Sequence, residues 1–148
     1  MGVFRFAAAA LLIPIVLTAC IETIEQQPSV PKTIISNHVK AFNAGDVAAM
    51  AKLQHPDIVW LSVSGDSVSI EVAGRDALSK NMAEYFQSPT KITGTLRDWS
   101  VNEPYVSVTE IASWTAKDGT KKSQSSMTVY ELQDNLIRRV WYYPAVDD

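Results

Sequence analysis

Apolar and polar positions along the chain separate into two regimes, helical spacing first and strand alternation later. Ile35, His38, Val39 and Phe42 fall at i, i+3, i+4 and i+7, one stripe of an amphipathic helix. Gly45 ends that helix, and Asp46 is placed to cap a second, short one from Val47 to about Leu53. His55-Pro56-Asp57 breaks it, and Ile58-Val59-Trp60-Leu61 through Val63 is rich in β-branched and aromatic residues, as a strand requires. Gly65-Asp66 reads as a turn into a short strand through Ile70 and Val72. Gly74 precedes a third helix, Arg75 to about Gln87, with Leu78, Met82, Tyr85 and Phe86 on one face. From Ile92 onward the pattern is β, in strands Ile92–Val101, Tyr105–Ala116, Lys122–Leu132 and Leu136–Tyr143. The turns between them are Asn102-Glu103-Pro104, Lys117-Asp118-Gly119 and Gln133-Asp134-Asn135. Helices first and long strands last predict an α+β fold with helices on one face of an antiparallel sheet.

Ahead of these elements lies a segment with a different pattern. Arg5 is followed by an almost unbroken apolar run, Phe6 to Leu17, too short to span a bilayer. The run ends in Leu17-Thr18-Ala19-Cys20, which resembles the lipobox cut by bacterial lipoprotein signal peptidase. The resemblance implies cleavage before Cys20 and lipid attached to its thiol and new amino group. Several acyl chains hold a protein firmly on a membrane, where one binds only marginally. Ile21 rather than an aspartate after the cysteine favours the periplasmic face of the outer membrane in a diderm host. The expected organisation is a signal peptide at 1–19, a lipidated Cys20 and polar tether at 20–30, and one domain at 31–148. A myristoylation signal would need Ser or Thr where Phe6 stands.

Composition narrows the function. The chain has 148 residues, enough for one domain of ordinary size, and a net charge of −3. Cleavage removes one of 13 basic side chains and none of the 16 acidic ones, taking the charge to −4. Such a chain lacks the basic excess of a nucleic-acid binder. One cysteine closes no internal disulfide and makes no cysteine-based zinc cluster, and two histidines argue against a multi-histidine metal site. No cofactor is expected.

Four segments in order resemble the NTF2-like, SnoaL-like superfamily. They are Phe42-Asn43-Ala44-Gly45-Asp46, His55-Pro56-Asp57-Ile58-Val59-Trp60, Gly74-Arg75-Asp76-Ala77-Leu78, and the pair Val129–Leu132 with Ile137–Tyr143. The resemblance implies a cone: three helices packed on a strongly curved, mixed, mainly antiparallel sheet around a largely apolar cavity. Members include isomerases, cyclases, dehydratases and carriers, so the fold does not fix the function.

Ketosteroid isomerase offers a test, since its base is a carboxylate assisted by a tyrosine and a protonated carboxylic acid. Aligned on Asn43-Ala44-Gly45-Asp46, the tyrosine position falls on His38, the base on Ser62 and the second acid near Ser126. A serine cannot abstract a carbon-bound proton without a base of its own, which argues against that chemistry. His38, on the apolar stripe of the first helix, is either a pocket donor or proton carrier with a pKa near 6.5, or a satisfied core residue. His55 and Asp57 flank a proline at a helix end and read as turn chemistry. Trp60, Tyr85 and Tyr142 are aromatics that can line a cavity or fill a core, with Trp99, Trp114, Trp141, Tyr130 and Tyr143 beside them. Alternation puts Val59, Leu61 and Val63 on one face of their strand and Ile58, Trp60 and Ser62 on the other. The purely apolar face reads as core, the alignment turns Ser62 inward, and a slip of one residue exchanges the faces.

The expected function is a lipid-anchored envelope protein holding a small, partly apolar ligand through His38, Trp60, Ser62, Tyr85, Ser126 and Tyr142. The alternatives are a cyclase-, isomerase- or dehydratase-type enzyme with His38 as acid–base group, and a non-catalytic module that dimerises or docks through its open sheet face. For the last, Trp114 or Trp141 would be anchors.

Overall fold

A computed structural model describes residues 29–147, so the expected signal peptide, Cys20 and nearly all of the tether lie outside the described residues. Among the described residues no helix is long and apolar enough to cross a membrane. The elements are α1 (Val30–Ala44), α2 (Val47–Lys52), β1 (Gln54–Ser64), β2 (Ser67–Ala73), α3 (Arg75–Tyr85), β3 (Thr93–Asn102), β4 (Tyr105–Thr115), β5 (Lys121–Gln133), β6 (Leu136–Tyr142) and the short β7 (Val146–Asp147).

Local chemistry accounts for the helix ends. Gly45, at φ +67°, closes α1 in the left-handed conformation that glycine adopts without a Cβ clash, its N–H bonding the Phe42 carbonyl at 2.9 Å. Asp46 then caps α2, its Oδ1 accepting from the Ala49 N–H at 2.9 Å. β1 starts earlier than the sequence suggests. His55-Pro56-Asp57 lies inside it, because Gln54 already pairs with Ile137 of β6. Pro56 is tolerated near the end of a strand, where a missing N–H breaks little of the ladder. α3 stops at Tyr85, two residues short of its expected end.

The sheet runs β2-β1-β6-β5-β4-β3, with β7 added to β5. β1 and β6 are parallel and every other pair is antiparallel, which makes the sheet mixed and mainly antiparallel. Register shifts at Trp60/Leu61, Arg97/Ser100 and Glu131/Leu132 mark bulges, which bend strands and increase their twist. The β5–β6 hairpin turns on Asp134-Asn135, both at positive φ, the two-residue geometry that matches strand twist.

The helices cover one face. Ile34 and Ile35 of α1 and Leu78 of α3 are buried with Ile58, Val106, Val108, Tyr130, Ile137 and Val140 from four strands. The faces of β1 are thereby decided: Ile58 is in the core with Trp60 packed on it, and Val59, Leu61 and Val63 lie on the opposite face. That outer face is apolar too, with Met127, Tyr105 and Ile70 exposed. The end of α1 is clipped to β3 by Asn43, which accepts from the Gly94 N–H at 2.7 Å and donates to its carbonyl at 2.8 Å. The contact needs a glycine, since a Cβ there would lie 3.2 Å from Cγ1 of Val39.

Candidate functional site

Between the helices and the curved face lies a cavity of about 310 Å³. α1 supplies His38, Val39 and Phe42 to its wall, and α3 supplies Met82 and Tyr85. Glu110 and Ala112 of β4, Tyr130 and Gln124 of β5, Tyr142 of β6 and Trp60 of β1 line the sheet side. Their positions follow from strand alternation. Val106 faces Tyr130 across the β4–β5 ladder, Tyr130 faces Val140, and Val140 faces Trp60, so these side chains share the concave face. Trp60 meets Tyr142 edge-on at 5.6 Å between ring centroids. Phe42 and Tyr85 pack at 5.9 Å, with Tyr85 exposed at the mouth.

The chemistry of the wall is concentrated in three residues on adjacent strands. The Tyr130 hydroxyl donates to Oε1 of Glu110, and the Tyr130 and Tyr142 hydroxyls are hydrogen-bonded to each other. Burial pushes the Glu110 carboxyl above the usual carboxylate range, and the hydrogen bond from Tyr130 offsets part of that rise. Burial, and then the charge of Glu110, hold both tyrosines well above their ordinary value, so neither ionises near neutrality. A carboxyl on such a wall can exchange a proton with a bound molecule or hold one of its polar groups.

His38 stands in a second polar contact. Its Nε2 lies 2.9 Å from Nε2 of Gln54, both residues being buried. Burial lowers its pKa from 6.5 to about 4. The near-neutral pKa expected from the sequence is thus corrected: at pH 7 the ring is neutral and holds Gln54, with no proton to give as an acid. Gln54 Oε1 is buried without a partner among the described residues, as are Trp60 Nε1 and Thr128 Oγ1.

Of the residues singled out in the sequence, His38, Trp60, Tyr85 and Tyr142 come together on the cavity wall. Ser62 and Ser126 do not line it. The Ser62 hydroxyl donates to Oε1 of Glu71 at 2.5 Å on the neighbouring strand. Ser126 sits directly across the β4–β5 ladder from Glu110. The carboxylate missing from the aligned positions is therefore present one strand away. Its signal was legible in β4, where Val106, Val108, Glu110 and Ala112 share one face and the carboxylate interrupts an apolar row. His55 and Asp57 meet in a local contact, His55 Nδ1 accepting from the Asp57 N–H at 3.1 Å, and Arg138 donates to the Asp57 carbonyl. Among the described residues no three His, Cys, Asp or Glu side chains cluster to hold a metal ion.

The family model of the SnoaL-like domain matches residues 35–140, from α1 to β6 and across every element of the cavity. The chain belongs to the SnoaL-like domain family. Among the curated proteins none matches the sequence. Solved structures do resemble this SnoaL-like domain. IdmH of Streptomyces antibioticus, described as a candidate polyketide cyclase, is 20% identical over 80% of this chain and 91% of its own, with a TM-score of 0.63. An epoxide hydrolase of the LEH-like kind from Mycobacterium tuberculosis is 13% identical over 80% of this chain and 83% of its own, with a TM-score of 0.64. RV0760c of Mycobacterium tuberculosis, solved with estradiol-17β-hemisuccinate, is 14% identical over 79% of this chain and 95% of its own, also at 0.64. At these identities the likeness is one of fold. Within that fold the SnoaL-like domain described here carries the polar set Glu110, Tyr130 and Tyr142 on its cavity wall.

Proposed function

We propose that this SnoaL-like protein is a lipid-anchored envelope protein that binds a small, partly apolar molecule in its cone. The observation that carries the reading is the cavity, ringed by aromatic and aliphatic side chains and holding one hydrogen-bonded polar cluster, Glu110–Tyr130–Tyr142. Ligand sites commonly combine an apolar wall with a few fixed polar groups in this way. At about 310 Å³ the cavity is at the small end of such sites, which run roughly 300–1,000 Å³. A one- to three-ring molecule fits that space and a two-chain lipid does not. The estradiol derivative bound by RV0760c supports the reading by analogy of fold. The anchor rests on the lipobox-like Leu17-Thr18-Ala19-Cys20.

Native mass spectrometry of the full chain, extracted from its own membranes in mild detergent, tests both parts. The expected result is a mature mass carrying diacylglycerol and an acyl chain on Cys20, with a small-molecule adduct that Ala112→Trp, which fills the cavity, abolishes. An unlipidated mass removes the anchor. An adduct that survives Ala112→Trp, or none at all, removes the binding function.

A second reading, an acid–base enzyme, is favoured by the half-buried Glu110 rather than by His38, whose ring is neutral and bonded to Gln54. Self-association through the outer face is favoured by its exposed apolar residues, and a concentration-independent monomer in sedimentation would remove it.

A further inference from the structure

Five rings face the cavity, from Phe42, Trp60, Tyr85, Tyr130 and Tyr142, and with them a single carboxyl, Glu110. No lysine or arginine lines it among the described residues, and His38, the one imidazole on the wall, is neutral. Glu110 is therefore the one acidic group on this wall, with no basic side chain beside it to balance a charge. Hydrogen-bond direction adds to this. A tyrosine hydroxyl has one hydrogen, and that of Tyr130 goes to Glu110. An ionised Glu110 on this wall offers a ligand acceptors only. The other side-chain donors on the wall include Trp60 Nε1, buried without a partner among the described residues, and Gln124 and Tyr85, which are exposed.

We propose that the cone selects a lipophilic organic cation, a protonated amine on a compact apolar skeleton, held between Glu110 and the faces of the surrounding rings. The inference rests on the ligand-binding reading above and names the chemical class of the ligand. An ammonium supplies the donors and the charge that the cluster lacks, and aromatic faces attract cations through their quadrupoles. The skeleton takes the apolar remainder of the wall. A carboxylate of the same shape meets like charge. A neutral alcohol gains only the burial of its skeleton and one hydrogen bond.

The test is an isosteric series, 1-adamantanamine, 1-adamantanol and 1-adamantanecarboxylate, titrated calorimetrically at neutral pH. The full chain is used in a non-ionic detergent, with empty micelles as the blank. Each member is small enough for the cavity, and only the head group differs. The expected order is amine at least tenfold tighter than alcohol, with the carboxylate weakest. In Glu110→Gln, which keeps the size and loses the charge, the amine loses its advantage over the alcohol. If the alcohol or the carboxylate equals or exceeds the amine in the wild-type protein, the cation class is wrong and the cavity reading survives. If none of the three binds, both fall. The wild-type order decides the class even if the variant folds poorly.

Discussion

Acidification from about pH 7 to about pH 5 destabilises the folded domain through His38, and the size of the loss follows from its burial. The ring is 3% exposed, and its pKa falls from 6.5 to about 4 because the imidazolium would be stripped of water. The folded pKa lies below the unfolded one, so between the two values the unfolded chain binds a proton that the folded protein refuses. Stability is then complete above pH 6.5 and falls by about 1.4 kcal/mol for each pH unit below it. By pH 5 the loss is about 2 kcal/mol, and it reaches about 3 kcal/mol near pH 4. Glu110 works in the opposite sense. Its raised pKa favours the folded state at low pH and costs stability as pH rises through the carboxylate range. Comparison with His38→Gln separates the two, since the glutamine does not titrate and can still meet Gln54, while every carboxyl is common to both proteins. Urea unfolding near pH 7 and pH 5 reads the difference. Relative to the variant, the wild-type midpoint drops by roughly 1 M between the two, taking a slope of about 1–3 kcal/mol per M. Midpoints that move in parallel would refute the buried, neutral histidine. A wild-type protein that gains on the variant with acid would reverse the sign and place a charged imidazole in the folded state.

Two further substitutions probe the same interior. Thr128 is fully buried with a hydroxyl that has no partner among the described residues, so Thr128→Val, which keeps the shape, stabilises by about 1 kcal/mol and raises Tm by roughly 4 °C. A lower Tm by calorimetry would mean that the hydroxyl is bonded. Leu78 is the one buried residue of α3, at 1% exposure, and holds that helix to the core. Leu78→Ala costs about 3 kcal/mol in urea unfolding, and a cost below about 1 kcal/mol would mean that α3 collapses onto the gap.

The helices and most strands were legible because their signals are local. The stripe through Ile35 and His38, Gly45 as a left-handed stop, Asp46 as a cap and Asp134-Asn135 as a tight turn each act within a few residues. Where local signals compete with long-range pairing, the reading shifts. Pro56 looks like a break, yet β1 already runs beneath it because β6 offers Gln54 a parallel partner at Ile137, 83 positions further along the chain. The site was half legible for the same reason. His38, Trp60, Tyr85 and Tyr142 could be picked out as polar or aromatic residues on favourable faces. Glu110 acquires its character only in the fold, from burial and from a hydrogen bond with Tyr130, 20 positions away.

The amino-acid sequence by itself determined the order of elements, the α+β class and which residues have the chemistry to matter. Periodicity, caps and turns are properties of a few neighbouring residues and survive without knowledge of the fold. Tertiary structure alone decided which face of β1 is inside, since Val59-Leu61-Val63 and Ile58-Trp60 are both apolar enough to be core, and only the helices laid over one of them separate the two. It also decided how two groups on the cavity wall titrate. Burial lowers the pKa of His38 and raises that of Glu110, and in both the cause is a loss of water that only the assembled fold imposes.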